Sequence, residues 1–547
     1  MAATTTAKES NEKLSDSDTS APKEERYEDV QPLGDQDAVP PEKRHRLSIA
    51  PKGTRPDGKI ELDPYDNLEH TGHGFSTLKK WTVLSVIFAV QVSMNFNTSV
   101  YPNVVLPLTE AFHVSGQVAR LGQMTFLVFY AFGSELWAPW SEDLGRWPVL
   151  QLSLFLVNIW QIPCALAPNI GTIIVCRALG GLSSAGGSVT LGMVADMWEA
   201  DDQQYAVAYV VLSSVGGTSI GPVIGAFIQR YLSWHWNFWI QLIFGGAVQA
   251  AHFFLVPETR STVMMDKLAR KRRKNGESNV YGPNELKENR FSAHEILLTW
   301  ARPFEMFVRE PIVLSLSLLS GFSDALIFTF LESFTPVYKQ WNFGIIAIGL
   351  AFIPINIGYI MGYLSFFPFI YRQQKARRRD PHCLQPEARL FWLLFTAPLE
   401  TIGLFGFAWT SLGPNHGIPW IAPMIFSCMI AIANYSIYMA TIDYMIASYG
   451  PYSASATGGN ALARDFLAGI AALYSTPFYE YFQGRQLEYP TTVLACIAFV
   501  VTIPIFIFYW KGPWVRERSK FAQVLASDKA KRGGSVGDQG GQGPKEA

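Results

Sequence analysis

The chain has 547 residues, of which 49% are hydrophobic, 14% aromatic and only 16% charged, and its mean hydropathy is +0.13. A formal net charge of -1 excludes the basic surplus of a nucleic-acid-binding protein. The five cysteines, Cys164, Cys176, Cys383, Cys428 and Cys496, have neither metal-site nor paired spacing, and nothing resembles a phosphate loop or a nucleophile with its base, so no cofactor, no metal and no enzyme is expected.

That average hides two phases. Residues 1–79 are rich in Ser, Thr, Asp, Glu, Lys and Pro and cannot bury enough apolar surface to fold, so they read as a disordered tail. The N-terminus is polar and offers no cleavable signal, which leaves the first spanning helix as the membrane signal. Apolar segments of about 20 residues, enough to cross a bilayer, then follow near Trp81 to Val105, Ala119 to Pro139, Pro148 to Ala167, Thr172 to Trp198, Tyr205 to Ile228 and Trp236 to Val256. A polar stretch, 257–311, interrupts with the basic run Lys267 to Lys274. Further segments lie near Ile312 to Tyr338, Ile345 to Tyr371, Leu390 to Thr410, Trp420 to Thr441, Ser453 to Tyr479 and Thr491 to Trp510, before a polar tail, 511–547. The expected fold is an all-α membrane protein with twelve transmembrane helices in two six-helix halves, 80–256 and 312–510, joined by the linker 257–311. Lys and Arg crowd the linker and Arg372 to Arg379, whereas Pro168 to Gly171 and Pro414 to Gly417 carry none, which predicts a cytoplasmic linker and cytoplasmic termini. Asn97-Thr98-Ser99 and Asn434-Tyr435-Ser436 have the form of glycosylation acceptors but fall inside predicted spans.

Helix five carries Leu212 to Phe227, LSSVGGTSIGPVIGAF, with Gly216, Gly217, Gly221 and Gly225 at close to one-turn spacing and Pro222 among them. Glycine costs about 1 kcal/mol and proline about 3 kcal/mol in a soluble helix interior. In lipid, small residues let helix backbones touch, so this helix is shaped to pack closely and bend. Arg177 in helix four is an intramembrane cation, which costs about 3 kcal/mol unless paired or wet. It either contacts substrate, biases a nearby carboxyl, or serves a structural ion pair. Asp324, near the middle of helix seven, and Glu332, two turns on, can look toward one cavity and are the proton-coupling candidates, Glu332 being alternatively a hydrated residue at the outer interface. Glu400 lies deep in helix nine without an assigned role, and Arg464 and Asp465, being consecutive, point about 100° apart and need not pair. Asn95 and Asn97 on helix one, Asn434, Tyr435 and Tyr438 on helix ten and Arg464 on helix eleven form the candidate substrate lining, suited to flat, partly apolar ligands.

Several motifs fit one family. Gly217-x-x-x-Gly221-Pro222-x-x-Gly225 resembles the fifth-helix antiporter motif of major facilitator superfamily exporters, with Ala226 where a second glycine is usual. Ala138 to Trp147 resembles the superfamily's cytoplasmic gate motif, in which Gly145 permits a tight turn and Glu142 and Arg146 can form a charge pair; Ala138 and Trp147 depart from the pattern. Arg177-x-x-x-Gly181 on helix four and Pro257-Glu258-Thr259 after helix six match further motifs. Pro386 to Leu390, Asn95 to Tyr101 and Asn460 to Arg464 resemble the fungal branch of the twelve-helix drug:proton antiporters. The resemblance covers about Lys80 to Trp510. It implies a monomeric, multi-pass transporter of the plasma membrane that exports small organic molecules, such as drugs, toxins or secondary metabolites, in exchange for protons, with helix five packed tightly against the other half. An importer of sugars or organic acids and a non-transporting receptor are the alternatives.

Overall fold

The computed structural model describes residues 59–64, 66–198, 202–286, 293–379, 385–449, 452–482, 487–519 and 521. The expectations for residues 1–58 and 522–547 lie outside them. Twelve long helical rods make up the body. Helix one is Thr77–Ser99 continued by Pro102–Phe112, helix two Gly116–Asp143, helix three Arg146–Ala165, helix four Ile170–Met197, helix five Gln203–Tyr231 and helix six His235–Leu255. After the linker come helix seven, Pro311–Lys339, helix eight, Ile345–Arg379, helix nine, Pro386–Thr410, and helix ten, Ile421–Tyr449. Helix eleven is Ser453–Tyr481 and helix twelve Glu488–Arg516.

Local chemistry sets the ends. Ser76, Ser115 and Asn169 accept hydrogen bonds from the backbone N–H groups of Lys79, Val118 and Thr172, capping helices one, two and four. Pro102 cannot donate to the ladder, and helix one bends there by 41°. Gly145 joins helices two and three at φ +108°, a conformation that favours glycine.

The rods differ in how they meet lipid. Helices seven and ten have 72% of their apolar windows buried inside the protein, whereas helix six has 28%, so the first two are central and the last is peripheral. Among the described residues nine helices are long and apolar enough to cross a membrane, or ten with the bent pair of helix one. Helices two and eleven, counted as spans from their sequence, fall short of that measure. They pack against each other along their length, so much of their surface faces protein rather than hydrocarbon.

The tail 1–79 is not disordered throughout. Ile60–Glu61 pairs in parallel with Val280–Tyr281 of the linker, and Leu62 joins Met265, Ala269 and Val280 in a small apolar cluster. Composition hid this because the apolar partner face belongs to the linker helix Ser261–Lys274, not to the tail itself. Arg273 donates to Glu285 at 2.7 Å and Arg270 at 2.9 Å, closing the unit beneath that helix. The Arg273 hydrogen bond, reinforced by that of Arg270 and the Gly282 N–H, holds the Glu285 carboxyl down to about 2.

A carboxyl held below its ordinary value stabilises the folded unit fully above its unfolded pKa of about 4.3, and the contribution is lost as pH falls through about 2. In hydrogen exchange, the amides of Ile60 and Leu62, which donate to Asn279 and Tyr281 carbonyls, should stay protected from pH 7 to about 4 and lose protection toward pH 2. Glu285→Ala should remove that protection at pH 7 while the membrane helices keep theirs.

Candidate functional site

Helices two and eleven run antiparallel along the seam between the halves. Gln117 Nε2 donates to the Leu473 carbonyl at 3.2 Å, the backbone of Gly469 lies against Leu127 and Val128, and Gly458 lies against the Glu135 carboxyl. At mid-depth Arg464 bridges two acids, with Nη2 at 3.4 Å from Asp465 Oδ1 and Nε at 3.8 Å from Asp324 Oδ2. Its guanidinium stacks 4.0 Å from the centre of the Tyr438 ring. Arg464 and Asp465 therefore do pair, because the long arginine side chain folds back across the angle between consecutive positions.

Asp324 and Glu332 share a helix but not an environment. Glu332 is clamped by Arg120 of helix two, through Nε at 3.1 Å and Nη2 at 3.0 Å, and accepts from Thr476 Oγ1 at 3.3 Å. Asp324 has, among the described residues, the looser approach of Arg464 at 3.8 Å, longer than a hydrogen bond. Glu332 thus ties the halves on the face opposite the linker and is not a hydrated interface residue. Glu400, left without a role by the sequence, is fully buried and accepts from Ser323 Oγ, which in turn accepts from Asn434 Nδ2 at 3.1 Å.

Other predicted residues have structural partners. Arg177 is not brought to any predicted coupling carboxylate: its Nη1 donates to Asn97 Oδ1 at 2.6 Å, its Nε to the Gly122 carbonyl at 3.2 Å, and the rings of Phe126 and Tyr101 flank it. Asn97 is consequently committed to helix four. Asn95 reaches Ser214 Oγ of helix five at 3.3 Å. Tyr435 is a fully buried strut whose hydroxyl donates to the Ala208 carbonyl of the other half at 3.0 Å. Of the predicted lining, Tyr438 and Arg464 lie at the acid cluster.

The glycine stripe of helix five faces its own half. Cβ atoms at Gly217, Gly221 and Gly225 would collide with Asn95, Ser99 and Asn103, all of helix one, and Ser99 Oγ donates to the Gly217 carbonyl at 3.2 Å. Contact with the other half is made instead by Pro222 and Ala226, against Gly349 of helix eight.

The turn motif also differs from expectation. Arg146 pairs with Asp196 at 3.1 Å and donates to Ser141 Oγ at 2.6 Å, and it does not pair with Glu142. Glu258 accepts from the backbone N–H groups of Arg146 at 2.9 Å, Trp147 at 3.3 Å and Arg260 at 2.9 Å. A Cβ on Gly145 would fall 2.3 Å from the Glu258 carboxylate, a second reason for glycine there. On this linker face the halves are joined by Gln204, which donates to Asp443 at 2.7 Å and accepts from Arg377 at 3.0 Å, while Arg389 pairs with Asp443. Sequence reading missed Arg120 and Glu135, both charged residues in a rod read as a span, although the cost argument that singles out Arg177 applies equally to them.

A two-halved body of twelve helical rods with ion pairs across the seam has the architecture of a membrane transporter. The chain matches the sequence profile of the Major Facilitator Superfamily over residues 86–473, and it belongs to that superfamily. It is similar to the MFS-type transporter acdC of Aspergillus candidus, 30% identical over 471 residues covering 84% of this chain and 90% of the relative. The efflux pump atB of Aspergillus terreus is 32% identical over 395 residues, 70% of this chain and 81% of the relative. Among solved structures, the proton:xylose symporter XylE superposes with a TM-score of 0.54 at 15% identity, covering 80% of this chain and 96% of that chain, which shows the shared fold.

Two substitutions test this geometry. Arg146→Ala leaves the buried Asp196 with Arg260 alone and should destabilise the protein by about 3 kcal/mol, read as a lower Tm in detergent. Gly221→Leu drives a side chain into Ser99 and should cost about 1–3 kcal/mol by overpacking. Transport should fail while the protein still reaches the membrane.

Proposed function

We propose that this transporter exports small organic molecules in exchange for protons across the plasma membrane, with the linker face and both termini cytoplasmic. The observation that carries the reading is Asp324, about 20 Å into helix seven at 1.5 Å per residue, which is approached by Arg464 at 3.8 Å and has no hydrogen bond among the described residues. A carboxyl at the seam that is not clamped can gain and lose a proton, whereas Glu332, gripped by Arg120, acts as a tie on the outer face. Arg464 takes the counter-cation role expected of Arg177, since it is the guanidinium beside Asp324. The outward direction is supported by the relative named an efflux pump, and the orientation by the basic linker and Arg372 to Arg379. Tyr438 beside Arg464 supplies an aromatic face for a flat substrate.

In proteoliposomes loaded with a panel of fluorescent organic dyes, acidifying the outside should drive dye out with the protein's cytoplasmic face inward. Asp324→Asn fixes the site as a neutral, proton-loaded mimic and should lose gradient-driven efflux at least tenfold while keeping dye-for-dye exchange. Dye moving inward with the protons would replace export by import. Undiminished driven efflux in Asp324→Asn would remove this residue from coupling.

A further inference from the structure

Glu135 of helix two is a buried acid with no ion-pair partner among the described residues. It is 7% exposed, its Oε1 is enclosed without a hydrogen-bond partner, and its carboxyl rests on the backbone of Gly458 in helix eleven, on the other half of the transporter. A Cβ at position 458 would stand 2.5 Å from Glu135 Oε2, so glycine there leaves room for the carboxyl. The antiparallel register places Asp465, seven residues beyond Gly458, about 10 Å further along the same seam. The second linker helix, Ala293–Arg309, roofs this contact: Trp300 Nε1 donates to the Leu136 carbonyl at 3.2 Å, and Pro303 and Phe307 meet Gly459. It thereby bridges the two halves beside Glu135 and keeps water from it.

The surrounding charges are already committed. On helix eleven Arg464 serves Asp465 and Asp324. On helix four Arg177 is held by Asn97, and Asp196 by Arg146 and Arg260. On the linker helix Arg302 lies over Tyr452 and Arg309 pairs with Glu305. Apart from the Arg120–Glu332 pair, whose charges cancel, the seam among the described residues carries three carboxyls, Glu135, Asp324 and Asp465, against the one guanidinium of Arg464. An ionised Glu135, buried in a water-poor seam without a cation of its own among the described residues, is costly while the seam is closed and favours separation.

We propose that Glu135 is the positioning residue that links closure of the linker face to one proton: helices two and eleven close on each other with Glu135 protonated, and part when it is ionised. On parting, water enters, the carboxyl O–H breaks with its electron pair left on oxygen, and the proton passes to water on the linker face; closure takes one proton back. The inference rests on the reading of the protein as proton-coupled, and adds a titrating group distinct from Asp324. Glu135 lies eight residues from the linker end of helix two, about 12 Å at 1.5 Å per residue, nearer that face than Asp324.

The test is the distance distribution between spin labels at Leu78→Cys and Lys511→Cys, exposed near the linker ends of helices one and twelve, in a cysteine-free background in nanodiscs without substrate from pH 5 to 9. The closed-to-open ratio of the parent should fall about tenfold per pH unit across the titration, as one linked proton requires. Glu135→Gln should stay closed with a flat profile, and Glu135→Met, which carries no polar atom, should do the same should the glutamine variant misfold. Glu135→Asp keeps an acid and should retain the slope. A parent profile that is flat, or a slope that survives in both neutral variants, overturns the proposal. A slope lost in Asp324→Asn but kept in Glu135→Gln overturns it while leaving proton-coupled export standing. A flat Glu135→Gln profile beside dye efflux that ignores the proton gradient upholds the linkage and discards the coupled-export reading instead.

Discussion

Helices two and eleven are too polar to face lipid over their length, and that constraint sets how the halves meet. Each charged side chain left in hydrocarbon would cost about 3 kcal/mol or more, and Arg120, Glu135, Arg464 and Asp465 are all carried by these two rods. Turning those residues toward each other and toward helix seven removes the cost, and Gly458 and Gly469 let the backbones come close enough to do so. Helix six can then be peripheral, with exposed Phe253, Phe254 and Leu255 suited to lipid. The order from a polar centre to an apolar rim follows from one pair of helices being unable to stand anywhere else.

The rods and the two halves were legible in the sequence because bilayer thickness imposes a repeat length that composition reveals directly. Partners were less legible. Glu142 stands four residues before Arg146, the spacing of a helical ion pair, but Gly145 at φ +108° breaks the helix between them. The arginine instead finds Asp196, fifty residues on. Arg120 and Glu332 are separated by 212 residues, and only the fold brings them together. Glu400 had no role legible in the sequence, because its partner Ser323 lies 77 residues away on helix seven. The docking of residues 60–62 on the linker was hidden for a related reason: neither segment buries enough apolar surface alone.

The helix-five glycines show how a motif can be present with another mechanical role. Their stripe welds helix five to helix one, with Ser99 seated on the Gly217 carbonyl, while Pro222 and Ala226 meet Gly349 across the seam. Close backbone contact makes the first pair a stiff unit. The second contact is small and uncharged, with the Ser219 hydroxyl donating to Asn356 Oδ1 at 2.7 Å beside it, the kind of surface that can slide or separate without leaving a buried charge behind.

Ties between the halves exist on both faces, so transport must release one set while the other holds. The set opposite the linker centres on Arg120 and Glu332, with Gln117 on the Leu473 carbonyl; the linker set centres on Gln204, Arg377, Arg389 and Asp443. Charge-assisted hydrogen bonds contribute about 1.5–3 kcal/mol each, which alone would hold either face shut. Separation also brings water to buried atoms at the seam that have no hydrogen-bond partner among the described residues, namely Gln117 Oε1, Glu135 Oε1 and Glu332 Oε1. Hydrating such atoms recovers about 1–3 kcal/mol apiece, comparable with the ties that must break. Breaking the ties and hydrating the seam therefore offset each other in part, so that a bound small molecule can shift the balance between the two faces.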